Sequence, residues 1–106
     1  MDKKTSKVYV PNRGSGHDYS SAEEYGSLVF VTSGAVNPYN TGAIYRKWYD
    51  ALKDSSPQDY IVSTSLNVLC MIGAGMFAAK HGRLNILLFT KSGTYKKREI
   101  VYDKVS

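Results

Sequence analysis

The hydrophobic positions of this chain fall into short blocks that alternate between strand-like and helix-like patterns. The clearest case runs from Asp59 to Thr90 and reads as strand, helix and strand: DYIVST, SLNVLCMIGAGMFAAKHG and RLNILLFT. Both strand-length runs are apolar without polar alternation, as expected for strands that are covered on both faces. This pattern predicts a parallel βαβ crossover.

The hydrophobic blocks before Asp59 continue the alternation of strands and helices towards the N-terminus. Buried strands are predicted at KVYV, Lys7 to Val10, and at LVFVT, Leu28 to Thr32. The segment SSAEEYG predicts a short helix that begins with a capping box of Ser20 and Glu23. Apolar and aromatic residues at spacings of three and four predict an amphipathic helix from Thr41 to Lys53.

The C-terminal residues predict a hairpin. The turn KSG leads into TYKKREIVYD, whose charged start and partial alternation are typical of an exposed edge strand. The predicted order is therefore β-α-β-α-β-α-β-β. We expect a single α/β domain over residues 1–106, a small three-layer Rossmann-like fold with a mainly parallel four-stranded sheet and a C-terminal antiparallel edge strand.

The predicted helix Leu66–Lys80 is apolar around most of its circumference. One sheet face cannot cover such a helix on all sides. Gly73 and Gly75 lie inside it, and each costs about 1 kcal/mol relative to alanine at an interior helix position. Close approach of another backbone would offset that cost. We therefore expect this helix to pack on its own sheet or on a second copy of the chain, and the second alternative predicts a homo-oligomer, most simply a homodimer.

Composition and charge narrow the cellular setting but not the activity. The chain has 106 residues, of which 42% are hydrophobic and 22% charged, and this length suits one core. Its single cysteine, Cys70, excludes an intramolecular disulfide and a cysteine-based metal site. The N-terminal residues lack a signal-peptide core, and the apolar stretch is too short to span a bilayer. We expect a cytoplasmic protein without membrane association.

The carboxyl ends of the predicted parallel strands carry residues that suit an anion. In open α/β sheets, ligands bind outside these ends, where helix N-termini also point. Glycine, hydroxyl and amide groups dominate there, and Arg13 and His17 supply charge. We expect an anionic, nucleotide-like small molecule to be bound by Asn12, Arg13, Gly14, Ser15, Gly16, His17, Ser33, Gly34, Thr64 and Ser65.

No motif assigns a reaction to these residues. The loop RGSGHD is neither a GxGxxG fingerprint nor a Walker P-loop, and the hydroxyl residues after the third strand are also explained by helix capping, with Ser65 or Thr64 as the N-cap. Because neither metal-ligand spacing nor a Ser-His-Asp order is present, we expect no metal and no cofactor. The catalytic candidates are His17 and Asp18, which could act as an acid-base pair.

Three functions remain open from the sequence. The leading hypothesis is the binding of a nucleotide or related phosphorylated small molecule, with Tyr19 or Tyr39 stacking on a base. The second is an enzyme, a hydrolase or transferase, that acts on such a ligand. The third is a nucleic-acid or protein interaction module. As a partner, nucleic acid ranks below an anionic small molecule. The chain has a net charge of +5, and such a module would use its basic C-terminal hairpin. The residues concerned are Tyr95, Lys96, Lys97, Arg98 and Tyr102.

Overall fold

A five-stranded sheet forms the centre of the protein in the computed structural model, which describes residues 6–14, 17–64 and 67–103. The strand order is β2-β1-β3-β4-β5; the first four strands are parallel, and β5 is antiparallel to β4. This confirms the predicted mixed α/β domain with an antiparallel edge pair. The strands are β1 (Lys7–Arg13), β2 (Ser27–Ser33), β3 (Tyr60–Val62), β4 (Arg83–Phe89) and β5 (Tyr95–Val101).

Two α-helices and two 3-10 segments connect these strands. The helix α1 joins β2 to β3, and α2 joins β3 to β4. Neither has the length and hydropathy of a bilayer-spanning helix. The segments are the 3-10 helix Ser20–Tyr25, α1 (Thr41–Ala51), the 3-10 turn Leu52–Asp54 and α2 (Asn67–His81).

The predicted capping box at Ser20 is wrong. Ser20 is the first residue of the 3-10 helix and not its N-cap. The backbone N–H of Ser20 donates instead to Oδ1 of Asp18 at 2.9 Å. This hydrogen bond is the main reason why the pKa of Asp18 lies below its ordinary value.

The connections place the two α-helices on one face of the sheet and the 3-10 helix Ser20–Tyr25 on the other. The step from β1 to β2 moves towards one edge, whereas the steps from β2 to β3 and from β3 to β4 move towards the other. Right-handed crossovers then put the connecting segments on opposite faces. The helices α1 and α2 accordingly pack together over Tyr9 and Ile61. On the other face, Ala22 of the 3-10 helix packs with Val8 and Val62.

A buried carboxylate ties the amino ends of the central strands together. Asp59 is fully buried; its Oδ1 accepts from the Lys7 N–H and its Oδ2 from the Ser56 N–H, both at 2.9 Å. Asn85 of β4 donates to the Asp59 carbonyl at 2.8 Å. Since buried polar groups need partners, these bonds fix β1, β3 and β4 in register at this end of the sheet.

Close packing of α1 on α2 depends on Trp48 and Gly73. The Trp48 indole is fully buried, and a β-carbon at Gly73 would overlap its six-membered ring. The close approach expected at this helix is therefore made by a ring and not by another backbone. Gly75 differs, because a β-carbon there would have no neighbour within 4 Å among the described residues.

Both helices leave part of their apolar surface uncovered. In α1, Ile44 and Trp48 are buried, but Tyr45 and Tyr49 are 50% and 54% exposed, so the predicted single buried face was wrong for these two tyrosines. In α2, which was predicted to be covered all round, Met71 is 71% exposed. The sheet thus covers only one side of the helical layer.

The C-terminal end of α2 places His81 beside the end of α1. Gly82 ends the helix in the left-handed region, with φ at 71°. His81 Nε2 lies 2.8 Å from Ser55 Oγ, and the imidazole packs on Phe77 with the ring centres 4.6 Å apart. Burial, and then the charge of Lys80, lowers the pKa of His81. A neutral ring is therefore favoured at this position.

We expect Gly73→Ala to destabilise the protein by about 1–3 kcal/mol, because the new methyl group would overpack the Trp48 ring. The matched control is Gly42→Ala in α1, where a β-carbon would have open space. That control should be neutral or stabilise by up to about 1 kcal/mol through helix propensity. Urea unfolding of both variants measures the difference. A Gly73→Ala protein as stable as the control would contradict this packing account.

We also expect His81 to make folding sensitive to acid. Its folded-state pKa lies below the unfolded value of about 6.5, so the unfolded chain takes up the proton first as the pH falls. The stability linked to His81 is complete above that pH and is lost as the pH falls towards the folded pKa. Unfolding of the wild type and His81→Gln, compared near neutral pH and about pH 5, tests this. Equal losses on acidification would exclude His81 as a contributor.

Candidate functional site

A small crevice opens where the connections from β1 and β3 diverge. β1 leads to β2 on one side and β3 leads to β4 on the other, which makes their carboxyl ends a topological switch point. Loops that follow β1, β3 and β4 meet there. The crevice, called the strand-end cleft below, has a volume of about 290 Å³ and is lined by His17, Tyr19, Ser63, Thr64, Phe89 and Tyr95.

Aromatic rings hold His17 in this cleft. The imidazole centre lies 4.5 Å from that of Tyr19 and 4.9 Å from that of Phe89. His17 Nε2 is also 3.1 Å from the Tyr95 hydroxyl. Burial raises the pKa of Tyr95, so this hydroxyl stays neutral and can exchange a hydrogen bond with the ring. His17 is therefore positioned by Tyr95, while the Asp18 carboxylate is engaged at the start of the 3-10 helix.

The row of rings continues away from the cleft towards the β2 edge. Tyr19 lies edge-on to Phe30 at 6.0 Å, and the Arg13 guanidinium lies over the Phe30 ring, 4.2 Å from its centre. A cation in this position is attracted by the electrons of the ring face. Arg13 is thus at the outer end of the aromatic row and not in the wall of the cleft.

The opposite wall of the cleft is organised by Cys70. The Thr64 N–H donates to Cys70 Sγ at 3.4 Å, and the thiol lies 3.7 Å from the Thr64 carbonyl as a donor. Ser63 is held from the other side, since its N–H donates to the Leu87 carbonyl at 3.1 Å. The single cysteine, which is partly buried, therefore shapes the turn between β3 and α2.

Asn12 has a structural task between two strand ends. It is 7% exposed, and its Nδ2 donates to the Gly34 carbonyl at 3.1 Å. Its Oδ1 accepts from the Thr32 hydroxyl at 2.7 Å. Gly34 itself has a positive φ of 75°, which suits glycine at this turn. The amide of Asn12 thus joins the end of β1 to the loop after β2.

A second, separate cleft follows β2. It has a volume of about 250 Å³ and includes Ser33 and Lys47 together with the start of α1. Asn40 caps that helix, because its side-chain oxygen accepts from the Ala43 N–H at 3.2 Å. This geometry uses Asn40 in folding, as its residue type predicts.

The predicted site residues therefore divide between several places. His17 and Thr64 share the strand-end cleft, whereas Ser33 lies in the second cleft. Gly14 lies beside the Asn12 side chain. Within the described residues, no group of His, Cys, Asp and Glu side chains is placed to hold a metal ion. Three further predicted residues fall outside the described part of the chain: Ser15, Gly16 and Ser65.

Two aromatic residues of the cleft were not predicted from the sequence to bind a small molecule, and Tyr95 was predicted only as part of the hairpin interaction surface. Phe89 and Tyr95 are directly paired across the hairpin, with ring centres 5.1 Å apart. Tyr95 is only 5% exposed, so it belongs to the cleft and core and not to the outer surface of the hairpin. The sequence feature that could have revealed this pair is the aromatic residue on each side of the short KSG turn, because aromatic residues at such positions often pair across a hairpin.

We expect Asn12→Ala to destabilise the protein by about 1–3 kcal/mol, because the buried side chain would lose its hydrogen bonds with Gly34 and Thr32, each worth about 0.5–1.5 kcal/mol. Asn37→Ala is the control, since Asn37 makes its hydrogen bond with the Tyr39 N–H at an exposed position. A surface change of that kind should stay within about 0.5 kcal/mol. Denaturant unfolding measures both. Equal stability of the two variants would show that Asn12 does not tie the strand ends.

A family model places the chain among known proteins. The match covers residues 6–102, which include all five strands, both α-helices and the strand-end cleft; the family is described as Phage Pam3 gp32-like protein. None of the curated proteins and none of the solved structures compared with the chain matches it. On the extent of the family match, the chain belongs to the Phage Pam3 gp32-like protein family.

Proposed function

We propose that the protein binds a nucleotide or a related phosphorylated small molecule in the strand-end cleft. The observation that carries this proposal is the position of His17, which lies between Tyr19 and Phe89 at the switch point of the parallel strands. The proposal rests on interpreting the fold as a three-layer Rossmann-like domain. In such domains the crevice at the switch point receives the ligand.

The volume of the cleft favours a small ligand. About 290 Å³ lies at the lower end of the range of small-molecule sites, roughly 300–1,000 Å³. A mononucleotide, or a phosphorylated metabolite of similar size, suits this volume better than a dinucleotide. Such ligands are present in the cytoplasm, where we expect the protein to act.

The two walls of the cleft offer different chemistry. Phe89 is 49% exposed and presents a ring on which a base can stack, an interaction worth about 1–3 kcal/mol. Ser63 and Thr64 bring hydroxyl groups to the other wall, close to the N-terminal end of α2. A helix N-terminus favours negative charge, so a phosphate group is best placed on this side. Arg13, outside the cleft, would help to attract an anion.

The arrangement of basic residues favours a small molecule over a nucleic-acid strand. In β5, Lys96 and Arg98 pair with Leu88 and Ile86, which places them on the face that carries the α-helices. Lys97 lies on the other face, 3.7 Å from Glu99. The charges of the hairpin are therefore split between two faces and do not form one strip with the aromatic row.

The geometry favours binding over turnover as the function to test first. His17 contacts a neutral tyrosine hydroxyl, and the neighbouring Asp18 accepts a hydrogen bond from the Ser20 N–H at the start of the 3-10 helix. A general base is usually oriented by a second charged or polar group that prepares it for proton transfer. The contacts of His17 explain how its ring is held. They do not include a hydrogen bond to the Asp18 carboxylate, which the acid-base hypothesis requires.

We expect adenosine monophosphate to bind the wild-type protein and Phe89→Ala to bind it about 5- to 150-fold more weakly, because a stacking surface is lost. Isothermal titration calorimetry measures both, with adenosine and inorganic phosphate as partial ligands. Tyr39→Ala is the matched aromatic control: Tyr39 is 92% exposed and lies outside the cleft.

Two results would contradict the proposal. One is that neither adenosine monophosphate nor its two parts binds the wild type. The other is that Tyr39→Ala weakens binding while Phe89→Ala does not, since this would move the ligand out of the strand-end cleft. Loss of binding in a Lys96→Ala, Arg98→Ala double variant alone would favour the interaction-module function.

A further inference from the structure

The helical face of the protein carries an apolar groove that the proposed ligand site does not use. It runs along the surface between α1 and α2 and has a volume of about 830 Å³. Its walls include two half-exposed tyrosines of α1 and an apolar surface of α2. The residues that matter here are Tyr45, Tyr49, Met71, Ile72, Gly75 and Ala79.

Packing among the described residues does not require glycine at position 75. A glycine inside a helix costs about 1 kcal/mol relative to alanine. The Trp48 ring accounts for Gly73, but a β-carbon at Gly75 would have no neighbour within 4 Å among the described residues. Gly75 lies one turn from both Met71 and Ala79, so α2 presents a shallow apolar stripe at this point. A second helix could approach that stripe closely.

We propose that the groove, independently of any ligand, is the interface of a symmetric homodimer. A two-fold axis brings the same patch of both protomers together, so the patch must be complementary to itself. This one has projecting rings, Tyr45 and Tyr49, beside the recessed stripe around Gly75. In the dimer, the tyrosines of each protomer fill the recess of the other.

The area of the face is sufficient for a dimer that dissociates reversibly. The helices have 11 and 15 residues and are therefore about 16 and 22 Å long. Side by side they present a face about 20 Å wide, or roughly 400 Å² in outline. Covering this outline on both protomers buries about 800 Å², which is below the roughly 1,200 Å² of a stable interface and within the range of weak, transient ones. We therefore expect association that depends on protein concentration.

The charges at the rim favour a second copy over an anionic partner. Lys80 Nζ is bound by the Leu52 and Lys53 carbonyls at 2.6 and 3.1 Å, which holds its charge against its own chain. Lys53 lies 3.9 Å from Asp50, and both side chains are exposed. Both groove lysines are thus engaged within the protomer, so they offer an acidic peptide or an anionic membrane little of the positive charge that it needs, whereas a second copy buries the apolar face without it.

Sedimentation velocity over about 1–500 µM protein tests the proposal, since this range brackets a micromolar dissociation constant. We expect the wild type to change from monomer to dimer. Gly75→Glu should weaken dimerisation at least about tenfold, because it buries an unpaired carboxylate in the interface. Gly42→Glu is the matched control: its position also has open space but lies outside the groove.

Circular dichroism of each variant separates dissociation from unfolding. If Gly75→Glu unfolds, Met71→Glu at the most exposed position of the groove takes its place. A wild type that stays monomeric throughout would overturn the proposal, and co-sedimentation of that monomer with anionic vesicles would assign the groove to a membrane surface. A dimer that both groove variants leave intact would overturn it as well.

Discussion

The contact of the Trp48 indole with Gly73 is the constraint on which the helical layer depends. The indole also lies against Tyr9 of β1, with ring centres 6.5 Å apart, so one side chain connects α1, α2 and the sheet. Close-packed interiors transmit the shape of such a residue to their surroundings. Because the helices meet on their sheet side through this ring, the tyrosines of α1 and the stripe around Gly75 remain on the outer side. The apolar groove follows from the way the core is filled.

Strand connectivity determines where the strand-end cleft can form. The reversal of direction between β1 and β3 separates the loops at their carboxyl ends, and the right-handed crossovers put both long helices on one face. The other face is covered by a short 3-10 helix that Tyr19 precedes and that ends with Tyr25. Rings rather than a long helix therefore close this end of the molecule. His17 occupies the point at which the rings meet the loop after β3.

The strands could be predicted from the sequence because buried parallel strands lose their polar alternation: the predicted strand Leu28 to Thr32 lies within the observed Ser27–Ser33. The strand-end rule likewise predicted His17 and Thr64, which the structure brings together in the strand-end cleft. It could not identify Phe89, because its position depends on the register of an antiparallel hairpin, and that register comes from pairing across strands. The burial of Tyr45 and Tyr49 in α1 was predicted wrongly for another reason. Residues at spacings of three and four spread over a broad arc of the helix surface. Only the packing of Trp48 decides which part of that arc is buried.

The helix α2 takes part in both proposed sites, and its packing determines whether they influence each other. Its first turns hold Cys70 beside Thr64 of the cleft, and its later turns carry Gly75 of the groove. Coupling between two sites requires an element with two arrangements that each ligand favours differently. The overlap that even a β-carbon at Gly73 would make with Trp48 leaves α2 little room to slide or rotate on α1. A helix held in one position cannot carry such a change, so ligand binding and dimerisation should be energetically independent.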